Sequence, residues 1–161
     1  MNKEKKGKAV VSALRLLKYR PRSREELRKA LDSRGFSEEV VKSTMCYLED
    51  LGYIDDVKFM ESWCYFRREV SPRGRWLVKR ELLSKGISPE NLEKYFDRFY
   101  PPEVEEAYLR ALITQQAVKA KLQDNKDPEE NQKRLALKLY RKGFDRWLVH
   151  QLSEEAKEQI T

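Results

Sequence analysis

Arginine is the residue type in this chain with the clearest capacity for binding chemistry. Between Arg67 and Arg80 the only acidic residue is Glu69, and the cations there are Arg67, Arg68, Arg73, Arg75, Lys79 and Arg80. Guanidinium groups form forked hydrogen bonds to phosphate or carboxylate. Most of these cations precede or begin a predicted helix, where the helix dipole gives them no stabilisation. We therefore predict a contact surface for an anionic group rather than a solvated loop.

A second, smaller basic cluster consists of Arg20, Arg22 and Arg24, at an equivalent position before another predicted helix. Its composition fits a contact surface and a solvated loop equally well. Both interpretations stay open from the sequence.

Groups that could catalyse a reaction are sparse. Asp55 and Asp56 could act as acid and base or hold a metal, but their place before a predicted helix favours capping and interaction with the helix start. His150 has no companion ligand and is predicted to be an ordinary surface histidine. The sequence contains no glycine-rich phosphate loop, nucleophile elbow or metal-ligand pair. We predict a protein that is not an enzyme and uses no cofactor or metal.

Aromatic residues precede the basic stretch. Phe59, Trp63 and Phe66 follow the i, i+4, i+7 spacing of a buried helix face, which favours core packing over a stacking platform for bases. Tyr65 lies off this stripe and is the aromatic residue that we expect to be available for contact.

Composition points to a soluble protein with an anionic partner. The chain has 161 residues, 38% of them charged, and a net charge of +7. Residues 1–57, 58–101 and 102–161 carry +3, +4 and 0, so the positive charge belongs to the first two thirds. Cys46 and Cys64 are too few for a disulfide scaffold, and Arg15 interrupts the one stretch that resembles a signal peptide. We predict a cytoplasmic protein with no membrane segment.

Apolar residues recur at helical spacing along most of the chain, and no alternating run indicates a strand. Capping signals include the Ser23 and Glu26 pair, Ser88 before Pro89, and Asp127 before Pro128. The pattern predicts helices at about residues 8–19, 24–34, 38–51, 56–69, 74–85, 89–99, 103–123, 128–142 and 146–158.

A helix-ending pattern occurs three times. A basic residue, a glycine, an apolar residue and a capping residue follow one another at Gly35, Gly86 and Gly143. Each glycine suits the left-handed conformation that ends a helix. We predict an all-α, elongated array of three tandem three-helix repeats, with boundaries at residues 1–57, 58–101 and 102–161.

Three segments together resemble the RecX family of bacterial regulatory proteins. They are Arg20-Pro-Arg-Ser-Arg-Glu-Glu-Leu27, then Gly52-Tyr-Ile-Asp-Asp56 with Phe59, then Gly74-Arg-Trp with Arg80-Glu-Leu82 and Lys85-Gly-Ile87. The resemblance is specific from about Ala13 to Ile87, and from Leu92 to Leu152 it rests on helical pattern and the third glycine.

The resemblance implies three-helix units that bind along the groove of the RecA recombinase filament on DNA and mainly inhibit its activities. We expect a monomer that contacts DNA as part of the filament and binds DNA alone weakly. Two alternatives stay open: a sequence-specific DNA-binding transcriptional regulator, and an adaptor for an acidic protein. The third repeat, with zero net charge, is expected to contribute length and protein contact more than phosphate contact.

Overall fold

The computed structural model describes residues 3–122 and 127–160, and helices account for all the regular structure in these two ranges. The α-helices are α1 (Lys3–Tyr19), α2 (Arg24–Asp32), α3 (Glu38–Asp50), α4 (Asp56–Tyr65), α5 (Arg75–Ser84), α6 (Pro89–Phe99), α7 (Pro102–Leu122), α8 (Pro128–Arg141) and α9 (Arg146–Ile160). A π-helical turn, Phe66–Val70, follows α4 directly. The predicted all-α fold class is confirmed.

The first helix begins earlier than predicted. The apolar pattern starts near residue 8, whereas α1 starts at Lys3. Glu4 in the first turn suits the positive end of the helix dipole, and it pairs with Lys8 one turn later at 2.7 Å. These polar interactions extend the helix beyond its apolar face.

The end of the predicted helix at 56–69 also differs. The chain leaves the α-helical path after Tyr65 and forms the π-helical turn, which has more residues in each turn than an α-helix. Phe59 is buried, but Phe66 is 38% exposed, so its assignment to the core was wrong. Phe66 is the first residue of the π-helical turn, where the α-helical spacing no longer holds, whereas Cys64 in the last turn of α4 is fully buried.

The three predicted glycine corners are confirmed. Gly35, Gly86 and Gly143 have φ of 80°, 83° and 82°, the left-handed conformation that side chains disfavour. After the second and third corners, the N–H groups of Ile87 and Phe144 reach back five residues to helix carbonyls, at 3.1 and 3.2 Å. Both side chains are buried, so each corner fixes an apolar residue beneath the helix that it ends.

Helix starts mostly follow the predicted capping chemistry. Ser23 and Glu26 form a reciprocal capping box, and Ser88, Asp127 and Asp145 each accept the backbone N–H three residues later. Ser37 is the exception, because its side chain makes no capping bond although its backbone has the extended conformation of a cap. The start of α3 has Glu38 and Glu39 in its first turn, which suit the helix dipole.

Two compact units can be distinguished. The first comprises the chain up to Trp63 together with Leu82–Tyr95, and the second comprises Cys64–Glu81 together with the chain from Phe96 onward. A core in the first unit is formed by Ala13, Leu27, Leu31, Val41, Met45, Leu48 and Ile54. A core in the second is formed by Leu109, Ile113, Leu139, Phe144, Val149, Leu152 and Ala156, where α9 packs on α7 and α8. The repeat boundaries at 57 and 101 stay predictions.

None of the described helices combines the length and the apolar character that a membrane crossing requires.

Candidate functional site

Arg24 and Arg75 hold equivalent positions, since each is the first residue of the second helix of its repeat. The backbone N–H of Arg24 donates to Asp56 at 2.8 Å, and that of Arg75 donates to Glu105 at 2.8 Å. Each carboxylate comes from the first turn of the next repeat's first helix and satisfies an N–H that a helix start leaves without an intrahelical partner. Burial raises the pKa of both carboxyl groups, although these backbone hydrogen bonds oppose the shift.

The side chains of these two arginines are also engaged. The Arg24 guanidinium pairs with Glu49, and the Arg75 guanidinium pairs with Asp97. Arg75 further donates to the carbonyl of Tyr100 at 2.8 Å. Both cations therefore connect helices within their own unit.

Arg20 is part of a network around the start of α2. Glu26 accepts hydrogen bonds from the guanidinium of Arg20, from the Lys85 ammonium at 2.9 Å and from the backbone N–H of Ser23 at 3.2 Å. The Ser23 hydroxyl donates to the Lys85 carbonyl. Burial alone would raise the pKa of Glu26, but the hydrogen bonds from Arg20 and Lys85 outweigh it and hold that pKa at about 2.

Arg67 and Arg68, on the π-helical turn, also serve the fold. Arg67 donates to Glu81 at 2.8 Å, and its side chain is 15% exposed. Arg68 donates to the carbonyl of Phe99, the last residue of α6, at 3.0 Å. A cation at that carbonyl satisfies one of the acceptors that a helix end leaves open.

Arg22 differs from its neighbours, because it forms no ion pair with any described residue. Its Nε is buried without a hydrogen-bond partner. Burial lowers the pKa of Arg22, and the nearby Arg20 adds to that effect. Arg22 faces an open groove of about 830 Å³ in the first unit, called the first groove, whose charged lining residues are Glu4, Lys8, Arg15, Arg22 and Arg34.

Arg73 is the counterpart of Arg22, two residues before the arginine that begins the helix. Its side chain makes a local hydrogen bond, donating to the Pro72 carbonyl at 3.1 Å. Arg73 faces an open groove of about 400 Å³ in the second unit, called the second groove, lined by Arg73, Arg134, Leu137, Lys138, Arg141 and Lys142. No carboxylate is among its lining residues in the part of the chain that the structure describes.

A close backbone contact places Arg73 beside the end of α8. The N–H of Gly74 donates to the carbonyl of Lys142 at 2.8 Å. A Cβ on Gly74 would lie 2.0 Å from the carbonyl oxygen of Gly143, so no larger residue fits without displacing backbone. Desolvation by burial and then the charges of Arg73 and Lys138 lower the pKa of Lys142, as expected in a field of like charges.

Lys79 and Arg80 lie on the exposed side of α5. Arg80 stacks over the ring of Trp76 at 4.8 Å, and Trp76 is 59% exposed. Lys79 lies 4.8 Å from the ring of Phe96. Neither cation forms an ion pair with a described residue, so this face combines positive charge with an exposed aromatic ring.

The remaining candidate residues lie at a helix cap or at exposed positions. Asp55 accepts the N–H groups of Val57 and Lys58 at 3.0 Å each, as a helix cap does. Tyr65 is 57% exposed, and His150 is exposed. Within residues 3–122 and 127–160, no three His, Cys, Asp or Glu side chains come together as metal ligands would. Burial raises the pKa of the Cys64 thiol to about 12, which makes it a poor nucleophile.

Four cations on one face of α8 and at the residue that follows it were missed by the sequence reasoning. Arg134, Lys138, Arg141 and Lys142 recur at i, i+4, i+7 and i+8, the spacing of one helix face. The zero net charge of residues 102–161 concealed this pattern, because the acids of α8 are concentrated in its first turn. A helical plot of charge alone would have revealed it.

Comparison with known proteins agrees with this arrangement of helices. Residues 9–48 match the first three-helix domain of RecX, and residues 55–95 match the second. The chain is 32% identical over 150 residues to the regulatory protein RecX of Legionella pneumophila, covering 93% of this chain and 95% of that protein. It is 29% identical to the regulatory protein RecX of Prosthecochloris aestuarii, covering 92% and 93% of the two chains.

A solved structure extends the likeness in fold. The crystal structure of RecX from Lactobacillus salivarius superposes with a TM-score of 0.79 at 23% identity, covering 96% of this chain and 97% of that one. Tandem three-helix domains place the chain among all-α proteins built from repeated three-helix units. Within that class, the chain belongs to the RecX family of regulatory proteins. This membership supports a regulatory role.

Proposed function

We propose that this protein binds the filament that the RecA recombinase forms on DNA and restrains it. In this proposal the protein inhibits recombination, ATP hydrolysis and co-protease activity, and so modulates DNA repair and the SOS response in the cytoplasm. It acts as a monomer, by binding, without a catalytic step or a cofactor. The choice of partner rests on membership of the RecX family.

One geometric observation carries the assignment of the contact surface. Arg22 and Arg73 occupy equivalent positions and face open basic grooves, whereas Arg24 and Arg75, two residues later, pair with internal carboxylates. An arginine without an internal carboxylate partner retains hydrogen-bonding capacity for phosphate or for a carboxylate of another protein. A filament of protein on DNA offers both kinds of anion.

Lys79 and Arg80 extend this proposed surface on α5. Both are exposed, and the Trp76 ring beneath Arg80 supplies apolar contact area. Tryptophan and arginine are the residue types that most often dominate interface energies. The remaining five cations of the two clusters stabilise the fold and affect binding only by positioning neighbouring residues. They are Arg20, Arg24, Arg67, Arg68 and Arg75.

The test is ATP hydrolysis by the host's RecA on single-stranded DNA, titrated with the protein. We expect dose-dependent inhibition. Arg22→Ala combined with Arg73→Ala should raise the half-inhibitory concentration roughly tenfold, because two charge-assisted contacts are lost. Arg98→Ala combined with Arg146→Ala is the control, since it removes the same charge from two exposed sites outside both grooves.

Each outcome has a distinct meaning. If both double variants weaken inhibition equally, net charge explains the effect and the grooves are not the contact surface. No inhibition by the unaltered protein at stoichiometric amounts would reject RecA as the partner. Binding to DNA alone with sequence preference would instead favour a transcriptional regulator.

A further inference from the structure

The second groove has a lining that is suited to one chemical class of ligand. Its polar lining side chains are all arginine or lysine, which donate hydrogen bonds and accept none. A bound peptide would bring backbone N–H donors that this lining leaves without acceptors. A phosphodiester backbone presents acceptor oxygens and negative charge, and so matches both properties.

The cations of this groove are available for a ligand. Among the described residues, no carboxylate pairs with Arg73, Lys138, Arg141 or Lys142. Arg134 does pair with Glu130 at 3.1 Å, but the two side chains are 73% and 50% exposed. Such exposed pairs contribute little energy and exchange readily with another anion.

The end of α8 accounts for only part of this charge. Lys138 and Arg141 lie in its last turn, where cations are stabilised by the helix dipole. Arg134 lies nearly two turns before the end of the helix, and Arg73 comes from a different segment. The dipole therefore does not explain why Arg73 and Arg134 face the same groove.

The spacing of the cations suits a single strand. Arg134, Lys138 and Lys142 follow one another at four-residue intervals, which corresponds to about 6 Å along the helix axis for each step. Successive phosphates of an extended strand repeat on a similar scale. Leu137 lies between these cations and is 55% exposed, which gives an apolar surface for sugar or base.

The groove is also preorganised. The contact between the backbones of Gly74 and Gly143, with the hydrogen bond from Gly74 to Lys142, fixes Arg73 against the end of α8. Because both sides of the groove belong to one compact unit, binding requires no rearrangement between units.

We infer that the second groove binds the phosphodiester backbone of single-stranded nucleic acid directly, through Arg73 and the row of cations on α8. This assigns phosphate contact to the third repeat, where the zero net charge had indicated length and protein contact more than phosphate contact. The inference rests on the proposed function in that DNA is part of the filament. The test of this inference contains no RecA, so the inference and the proposed function can fail independently.

The experiment measures binding of a fluorescently labelled oligothymidine strand by anisotropy at several salt concentrations. Lys138→Ala combined with Arg141→Ala should raise Kd on the order of tenfold. The slope of log affinity against log salt should fall by about 1.4, since each phosphate contact on a single strand contributes about 0.7. Both residues are exposed and alanine favours helices, so the variant should fold, which circular dichroism checks.

The matched control is Lys119→Ala combined with Lys133→Ala, which removes the same charge from exposed sites outside the groove. It should keep the affinity and slope of the unaltered protein. Equal losses in the two variants, or no loss in the groove variant, would overturn the inference. A groove variant that binds oligothymidine normally but no longer inhibits RecA would assign the groove to a protein contact instead. If the unaltered protein binds oligothymidine but does not inhibit RecA, only the proposed function is overturned.

Discussion

Two junctions of the chain have the same plan and are stabilised differently. The first junction, residues 20–24, contains Arg22 and Arg24, and the second, residues 71–75, contains Arg73 and Arg75. In each, the later arginine begins a helix, receives a carboxylate on its backbone N–H and pairs its side chain internally. The earlier arginine faces a basic groove. Arginines two residues apart can therefore serve the fold and the surface separately.

The difference lies in what fixes each junction. At the first, charged hydrogen bonds converge on Glu26 from Arg20 and Lys85. At the second, two glycine backbones touch at Gly74 and Gly143. A charged network responds to pH, whereas a backbone contact responds to steric bulk. The two junctions should therefore fail under different perturbations.

The largest expected effect is steric and breaks the second junction. Gly74→Ala places a Cβ 2.0 Å from the Gly143 carbonyl oxygen, and because both partners are backbone, the chain itself must move. We expect the free energy of unfolding to fall by about 3 kcal/mol, measured by urea denaturation. Gly35→Ala is the control: its φ of 80° is strained, but no atom lies within 4 Å, so about 1 kcal/mol is expected. Equal losses of unfolding free energy in the two variants would show that the backbone contact does not stabilise the second junction.

The next effect is electrostatic and breaks the first junction. Glu26→Ala removes the acceptor for Ser23, Arg20 and Lys85, and should cost about 2 kcal/mol at pH 7. Glu26→Gln keeps an acceptor for the Ser23 N–H and should cost about half as much.

The pH dependence of these variants gives a second readout. The pKa of Glu26 is lowered to about 2, so its stabilisation is present above its unfolded pKa and is lost as pH falls toward 2. The stability difference between Glu26→Gln and the unaltered protein should shrink between pH 5 and about pH 3 in urea titrations. A difference that is constant with pH would contradict the charged network.

Local features were predictable from the sequence, because their physical causes are local. The capping box at Ser23 and the corners at Gly35, Gly86 and Gly143 depend on residues within one or two helical turns. The exception at Phe66 is also instructive: an i, i+4, i+7 count assumes an α-helix, and no residue in the sequence signals the π-helical turn.

The division of labour among the arginines was not predictable in this way. Arg24 meets Asp56 and Glu49, which are 32 and 25 residues away, and Arg75 meets Asp97, which is 22 residues away. Local sequence makes all these arginines look alike. Only the tertiary fold shows which of them have carboxylate partners and which face a groove.

The central claim is that position within each junction decides whether an arginine serves the fold or the partner. The most direct test compares Arg73→Ala with Arg75→Ala, by urea denaturation and by inhibition of RecA ATP hydrolysis at a temperature where both variants are folded. Arg73→Ala should change the free energy of unfolding by less than about 0.5 kcal/mol and raise the half-inhibitory concentration about fivefold. Arg75→Ala should cost about 1 kcal/mol of stability and inhibit like the unaltered protein. The opposite pattern, with Arg75 needed for inhibition and Arg73 needed for stability, would contradict the account.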